Sequence, residues 1–430
     1  MTTPHHATLA DGAAMADGAA MAEGATTRFD VAIVGGGMVG ASLAVALEGV
    51  GVRSALIEAV PYGAPSHPSF DERTTALSNG SRRILETLGV WSEVSGDATP
   101  IARIHVSDRG HFGFARIDAR EQSLAALGYV VPNRALGAAL WSRLRCSADL
   151  TVFSPAKVTA IEVGGPLIEL NVAGTDSTTT RVSARLVVAA DGAESAVRVA
   201  FGVTAEVRDY GQTAVITTVL PRKFHEHVAY ERFTADGPLA LLPLADGRCT
   251  LVLTLTRALA ETAMAWSDEE FLKELQRRFG FRLGRFLKVG RRAAYPLSLS
   301  RAQRTSAGRC IIVGNAAQGL HPVAGMGFNL GLRDVASLAE LIAERREDLD
   351  GLSAAYDVWR SGDRREIIAF TDTLVRLFAN PLPPVQGARN LGLLAFDLLP
   401  PAKAALSSLS IGAAGRIPKL ARGVPLGVRR

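Results

Sequence analysis

Cysteine is scarce in this chain: Cys146, Cys249 and Cys310 are the only three in 430 residues, separated by 103 and 61 positions. That spacing supplies neither a metal-ligand cluster nor a CxxC redox pair. All three are expected to be small buried hydrophobes in a protein of the reducing cytoplasm. A secretory signal is also lacking. Residues 1–27 repeat DGAAMADGAAMAEGA, small residues and acids without a cationic start or an apolar core, and read as a disordered leader in which His5 and His6 are a solvated pair rather than a metal site. No apolar run is long and unbroken enough to span a bilayer, because Pro400 and Pro401 interrupt the C-terminal candidate. Acid is missing after Asp397, where six of the 47 basic residues lie (Lys403, Arg416, Lys419, Arg422, Arg429 and Arg430), leaving 41 against 42 acids elsewhere. The net charge of +5 therefore belongs to the tail, and nucleic-acid binding is a poor inference from it.

Glycine, by contrast, is abundant at 42 residues, and its most telling cluster lies in Arg28 to Gly40, RFDVAIVGGGMVG. Phe29 to Val34 is a short β-branched run suited to a buried parallel strand. Gly35, Gly37 and Gly40 follow at GxGxxG spacing. The first permits the tight turn, the second lets a pyrophosphate approach bare backbone, and the third allows close packing of helix on strand. Ala41–Leu47 reads as the crossover helix and Val52–Ile57 as the second strand. Glu58 ends that strand 21 residues after Gly37, where a carboxylate accepts from ribose hydroxyls and repels a 2′-phosphate, favouring FAD or NAD over NADP.

Further along, Ser78 or Asn79 caps a helix through Ile84, Leu85 and Leu88, and Arg73 stands at its entry, where its guanidinium either reaches a phosphate or a substrate or pairs at the surface with Asp71 or Glu72. A helix from Pro132 carries Leu136, Leu140 and Leu144, and Ala184–Ala190 is a second buried strand ending at Asp191 and Gly192. Residues 204–256 have strand character, and Ser267 with Glu270 makes a capping box for a helix through Phe271, Leu275 and Phe279. The economical fold is α/β: a Rossmann-like nucleotide-binding domain with an inserted antiparallel-sheet domain and C-terminal helices. Cys310–Val313 is then a strand leading into GNAAQGLHPVAGMGFNLGLRD, Gly314 to Asp334. Gly325, Gly327 and Asn329 precede a helix whose N-terminal amides and positive dipole end would stabilise an electron-rich ring such as a flavin.

Gly35 to Gly40 with Glu58, AADGAESAVR from Ala189 to Arg198, and the Gly314–Asp334 string together resemble the FAD-dependent aromatic hydroxylases related to para-hydroxybenzoate hydroxylase. YERFTADGPLALLPLADGR and the third string are similar to their ubiquinone-biosynthesis branch, which acts on 2-polyprenyl-6-methoxyphenol-type compounds. The likeness runs from about Phe29 to Asn380. It implies an FAD-binding domain in three parts (28–103, 131–203 and 291–380), substrate-domain segments at 104–130 and 204–290, and a helical basic tail at 381–430. It also implies that Gly35, Gly37 and Gly40 hold the FAD pyrophosphate and Glu58 the adenosine ribose. Arg73 and Arg134 would lie near the cofactor, Asp191 near the pyrophosphate, and Gly314, Asn315, Gly325, Gly327 and Asn329 along the ribitol and flavin. Gly314-Asn315 departs from the family's Gly-Asp, and Met326 from the Gln common in close relatives.

The activity implied is hydroxylation of a prenylated phenol with NAD(P)H and O2 as co-substrates, NAD(P)H binding transiently, among other ubiquinone-biosynthesis proteins. His321 is a candidate base for the phenol, set against a structural role. The apolar Leu391–Leu409 and the basic segment after it suggest a helix lying on the inner face of the cytoplasmic membrane, against the alternative of a helix packed on the body. Two other readings stand beside this one: the same chemistry on a soluble aromatic acid, and a non-catalytic flavin-bound scaffold in a membrane-associated complex.

Overall fold

Three sheets divide the work of the chain in the computed structural model, which describes residues 26–64, 73–176, 178–380, 382–399, 403 and 416–427. The leader up to residue 25, Asp71, Glu72, and the tail positions 400–402, 404–415 and 428–430, including Pro400, Pro401, Arg429 and Arg430, lie outside the described residues.

The first sheet is the nucleotide-binding one. Thr26–Val34, Ser54–Ile57, Leu150–Phe153, Thr179–Ala189 and Cys310–Ile312 run parallel, in the order 310–312, 179–189, 26–34, 54–57, 150–153. Val31, Ala32 and Ile33 are fully buried, as a strand covered on both faces requires. The first strand starts two residues inside the expected leader, with Thr26 paired to Arg181. Helix Met38–Ala46 follows the glycine turn, and its all-round burial matches its uniformly apolar sequence.

The second sheet has nine strands and packs one face on a helical layer. Val215, Leu239, Leu241, Leu251 and Leu253 point toward Phe271 and Leu275 of helix Asp268–Phe279, which begins at the expected Ser267–Glu270 capping box. Two boundaries differ from the sequence expectation. Ala293–Ala302 pairs along Ala205–Pro221 and so belongs to this sheet, not to the nucleotide-binding part. Gly128–Pro132 instead joins Thr74–Ser78 and Thr99–Ile101 in a small third sheet that bridges the two layers. Long-range strand pairing decides both, which local pattern cannot reveal.

Cys249 and Cys310 are buried, and burial pushes both thiols up to about 12. Cys146 is exposed, contrary to expectation, because the chain is already leaving the helix Asn133–Leu144 there.

Candidate functional site

A cavity of about 950 Å3 lies between the first and second sheets, near the top of the roughly 300–1,000 Å3 range of small-molecule sites. One end is the glycine turn. Gly35 has φ +103°, and a Cβ there would stand 2.4 Å from the Ala190 carbonyl oxygen. Gly37 lines the cavity, and a Cβ on it would meet nothing within 4 Å, so its bare backbone faces open space. Gly40 lies outside the lining. A Cβ there would come 1.9 Å from the Gly35 carbonyl oxygen, which is the close helix-on-strand approach.

Glu58 is buried beside this turn, and its carboxylate accepts from the Gly36 N–H (2.5 Å) and the Val60 N–H (2.7 Å). A carboxylate has room for about four hydrogen bonds, so acceptor capacity remains toward the cavity that Glu58 lines. Asp191 also lines it, with one oxygen accepting from the Ser195 hydroxyl and the other from the Val197 N–H (3.1 Å), so part of its role is to cap the short helix Ala196–Ala200.

The 314–329 loop forms one side of the cavity. Gly314, Asn315, Gly325 and Gly327 line it. Gly325 has φ +60° and caps helix Met326–Glu344 without a side-chain hydrogen bond, so the first-turn amides have no intrahelical partner, and Gly327 and Phe328 of that turn line the cavity. Asn329 has a different task from the one expected. Its Oδ1 accepts from the Ser78 N–H and the Ser81 hydroxyl, and its Nδ2 donates to the carbonyls of Ala76 and Gly325. All four positions of the amide are filled, so the side chain ties the loop to strand Thr74–Ser78 and has none left for a cofactor. Met326 is buried against Leu330 and Ile367, which removes it from the polar contacts of the site.

Arg73 lines the cavity with its guanidinium 5.0 Å from the Tyr295 ring centroid. Arg134 is exposed and outside the lining, where its neighbour Asn133 takes the place. His321 lines the cavity and is 1% exposed. Its Nδ1 accepts from the Val323 N–H at 3.1 Å, so the neutral ring carries its proton on Nε2, which is buried without a partner among the described residues. Burial holds the imidazole down at about 4. This geometry makes His321 a neutral hydrogen-bond donor at ordinary pH; it does not prepare a base.

The far wall comes from the second sheet. Its register sets Glu231 beside Ala240, Ala240 beside Val252, and Val252 beside Ile216, and all four line the cavity. Sequence reading passed over Glu231 as one polar residue in a strand; the signal was its place in VAYERFT, in step with Ala229 and Phe233.

A glycine turn with a buried acid beside it, opening along a helix N-terminus onto an apolar sheet, is the site of a flavin-dependent monooxygenase. More particularly, the chain belongs to the family of the FAD binding domain, whose model matches residues 28–357. It is 40% identical over 409 residues to the ubiquinone hydroxylase UbiL of Rhodospirillum rubrum, covering 92% of this chain and 93% of that protein. It is 33% identical over 379 residues to the 3-demethoxyubiquinol 3-hydroxylase of Escherichia coli, covering 86% and 94%. Among solved structures, a p-nitrophenol 4-monooxygenase from Pseudomonas putida superimposes with a TM-score of 0.74 at 20% identity, covering 89% of this chain and 97% of that one, which shows a shared fold. The protein is an FAD-dependent oxidoreductase of the ubiquinone-hydroxylase group.

Proposed function

We propose that this chain hydroxylates the ring of a prenylated phenol in ubiquinone biosynthesis, using NAD(P)H and O2. The observation that carries this reading is the continuity of the cavity from the dinucleotide cradle to the wall Glu231–Ala240–Val252–Ile216. An alkylated phenol suits small apolar side chains, whereas an aromatic carboxylate would be repelled by the Glu231 carboxyl, which disfavours the soluble-acid reading.

Gly35, Gly37, Glu58, Asp191, Gly314, Asn315 and the 325–328 amides would hold FAD, and the bare Gly37 backbone and Glu58 acceptor fit its pyrophosphate and ribose. FAD, reduced by NAD(P)H, supplies the oxygen-activating chemistry. The chain's own part is to place the phenol against the apolar wall, to keep water out of that space, and to offer the amides of helix Met326–Glu344 and the Nε2–H of His321 to developing negative charge. FAD-loaded protein given NAD(P)H, air and a prenylated methoxyphenol should release a hydroxylated product. Product formed only from a soluble aromatic acid, or flavin that NAD(P)H never reduces, would overturn the proposal, the second outcome favouring the scaffold.

A cytoplasmic protein at the membrane face is the matching location. No helix among the described residues is long and apolar enough to cross a membrane. Lys403, Arg416 and Lys419 turn to acids of the body: Lys403 to Glu121 and Asp397, Arg416 to Glu340 and Glu344, Lys419 to Glu344. Helix Pro383–Leu398 packs on the second sheet through Arg389 and Asp108, yet leaves Leu391 62% and Leu398 77% exposed. Support for membrane contact thus comes from these leucines and not from Lys403, Arg416 or Lys419. Leu391→Glu with Leu398→Glu should lower flotation with liposomes; unchanged flotation would exclude this helix.

A further inference from the structure

We propose that Glu231 is the general base that takes the hydroxyl proton of the bound phenol, an assignment that rests on the phenol-hydroxylase reading above. The carboxyl projects from strand Val228–Thr234 on the cavity side, in step with Phe233, whose ring is stacked on Phe378 and shares a cluster with Val323 of the cofactor loop. Glu231 therefore sits between the loop that would carry the flavin and the apolar floor that would carry the ring.

Its surroundings give it nothing to do within the fold. The half-buried Glu231 side chain has no hydrogen-bond or ion-pair partner among the described residues, whereas buried acids elsewhere are paired, Asp108 with Arg389 and Asp334 with Arg360. Its strand neighbours are Val106 and Ala240. Of the titratable residues beside it in the strand, Tyr230 packs into the helical-layer core and also reaches the cavity lining, and Arg232 donates to the Arg278 carbonyl. From helix Leu352–Ala379, Asp372 faces Tyr210, Arg208 and Arg376. Within the cavity, His321 is neutral above about pH 4, Arg73 lies against Tyr295, and Glu58, Asp191, Glu194 and Lys157 line the same cavity. Burial alone pushes the Glu231 carboxyl up to about 7. A base near neutrality is the kind that accepts a proton efficiently and returns it.

In the step proposed, the phenol O–H bond breaks, the proton moves to a Glu231 carboxylate oxygen, and the electron pair stays on the phenolate and spreads into the ring. The ring becomes more nucleophilic toward the oxygen supplied at the flavin. The carboxyl's proton later returns to water. No added reductant or oxidant is needed for this transfer.

The test uses FAD-loaded wild type, Glu231→Gln and Glu231→Asp, with a short-chain prenylated methoxyphenol as probe. The readouts are kcat with its pH profile, KM, and flavin content. In wild type kcat should rise through an apparent midpoint near pH 7 as the carboxyl ionises. Glu231→Gln should have kcat lower by roughly 10²-fold, KM within about threefold, and a rate that keeps climbing at alkaline pH as the phenol itself ionises. Glu231→Asp should recover part of the rate and of the midpoint. Flavin content and reduction by NAD(P)H should match wild type, which separates loss of the base from misfolding. If Glu231→Gln gives the wild-type kcat and pH profile while wild type hydroxylates the probe, this inference fails alone. Wild type that binds no phenol overturns the functional reading and this inference with it.

Discussion

Burying a carboxyl among alkyl groups favours its neutral form, and Glu231 shows the effect without any compensating cation. Between about pH 4.5 and about 7 the native protein keeps this proton while the unfolded chain has lost it, so Glu231 lowers stability progressively as pH rises through that window. Glu231→Gln removes the titration. Its melting temperature should equal that of wild type below pH 4.5 and exceed it by a growing margin up to about pH 7, a trend that parallel thermal melts would reveal. His321 acts in the opposite sense. Its imidazole is held neutral down to about 4, so between about pH 6.5 and 4 the unfolded chain takes up a proton that the native ring refuses, and stability falls with acid. His321→Gln should blunt that acid loss in the same melts; an unaltered acid limb would show that the ring is not buried as described.

At the scale of elements, helix Met326–Glu344 is anchored at both its entry and its middle. Asn329 joins its first turn to Ser78, Ser81 and Ala76. Asp334, with no exposed surface, meets Arg360 at 2.8 Å and accepts from Gln318 at 3.1 Å, tying the helix to Leu352–Ala379 and to the cofactor loop. Replacing Asp334 with Asn leaves the buried Arg360 with Asp363 as its remaining counter-charge and should cost about 2–3 kcal/mol, with faster FAD release because Gln318 loses its acceptor. Chemical denaturation and flavin dissociation rates would check it, and a loss under about 1 kcal/mol would contradict the buried pairing. These anchors also mark how far sequence carried. The glycine turn, Glu58, the capping box and the strand-to-helix junction at residue 325 were legible because their physics is local: φ, spacing, caps. Asn329 looked like a ligand because it stands in a glycine-rich loop, and only its four partners, about 250 residues away for those on strand Thr74–Ser78, reveal a structural clamp. Glu231 was illegible for a related reason, since the register that turns it to the cavity is set by strands at 216, 240 and 252.

Across the whole molecule, residues from the 35, 58, 73, 191, 314 and 327 regions meet on one cavity that separates two large sheets. Side bridges such as Thr74 with Thr250 join the walls around it. A dinucleotide bound there would touch all of these segments at once, and it would bind the native state only. Mass action then stabilises the fold by about 2.7 kcal/mol when free FAD is 100-fold above its dissociation constant. Protein stripped of flavin should therefore melt at lower temperature than loaded protein, and added FAD should raise the midpoint in a concentration-dependent way. Gly40→Ala sharpens the measurement, because its new methyl would fall on the Gly35 carbonyl and push the helix off the first strand. It should lower the flavin-to-protein ratio and shrink the FAD-induced shift. Full flavin occupancy and an unchanged shift in that variant would mean that the turn around Gly35 does not hold the pyrophosphate.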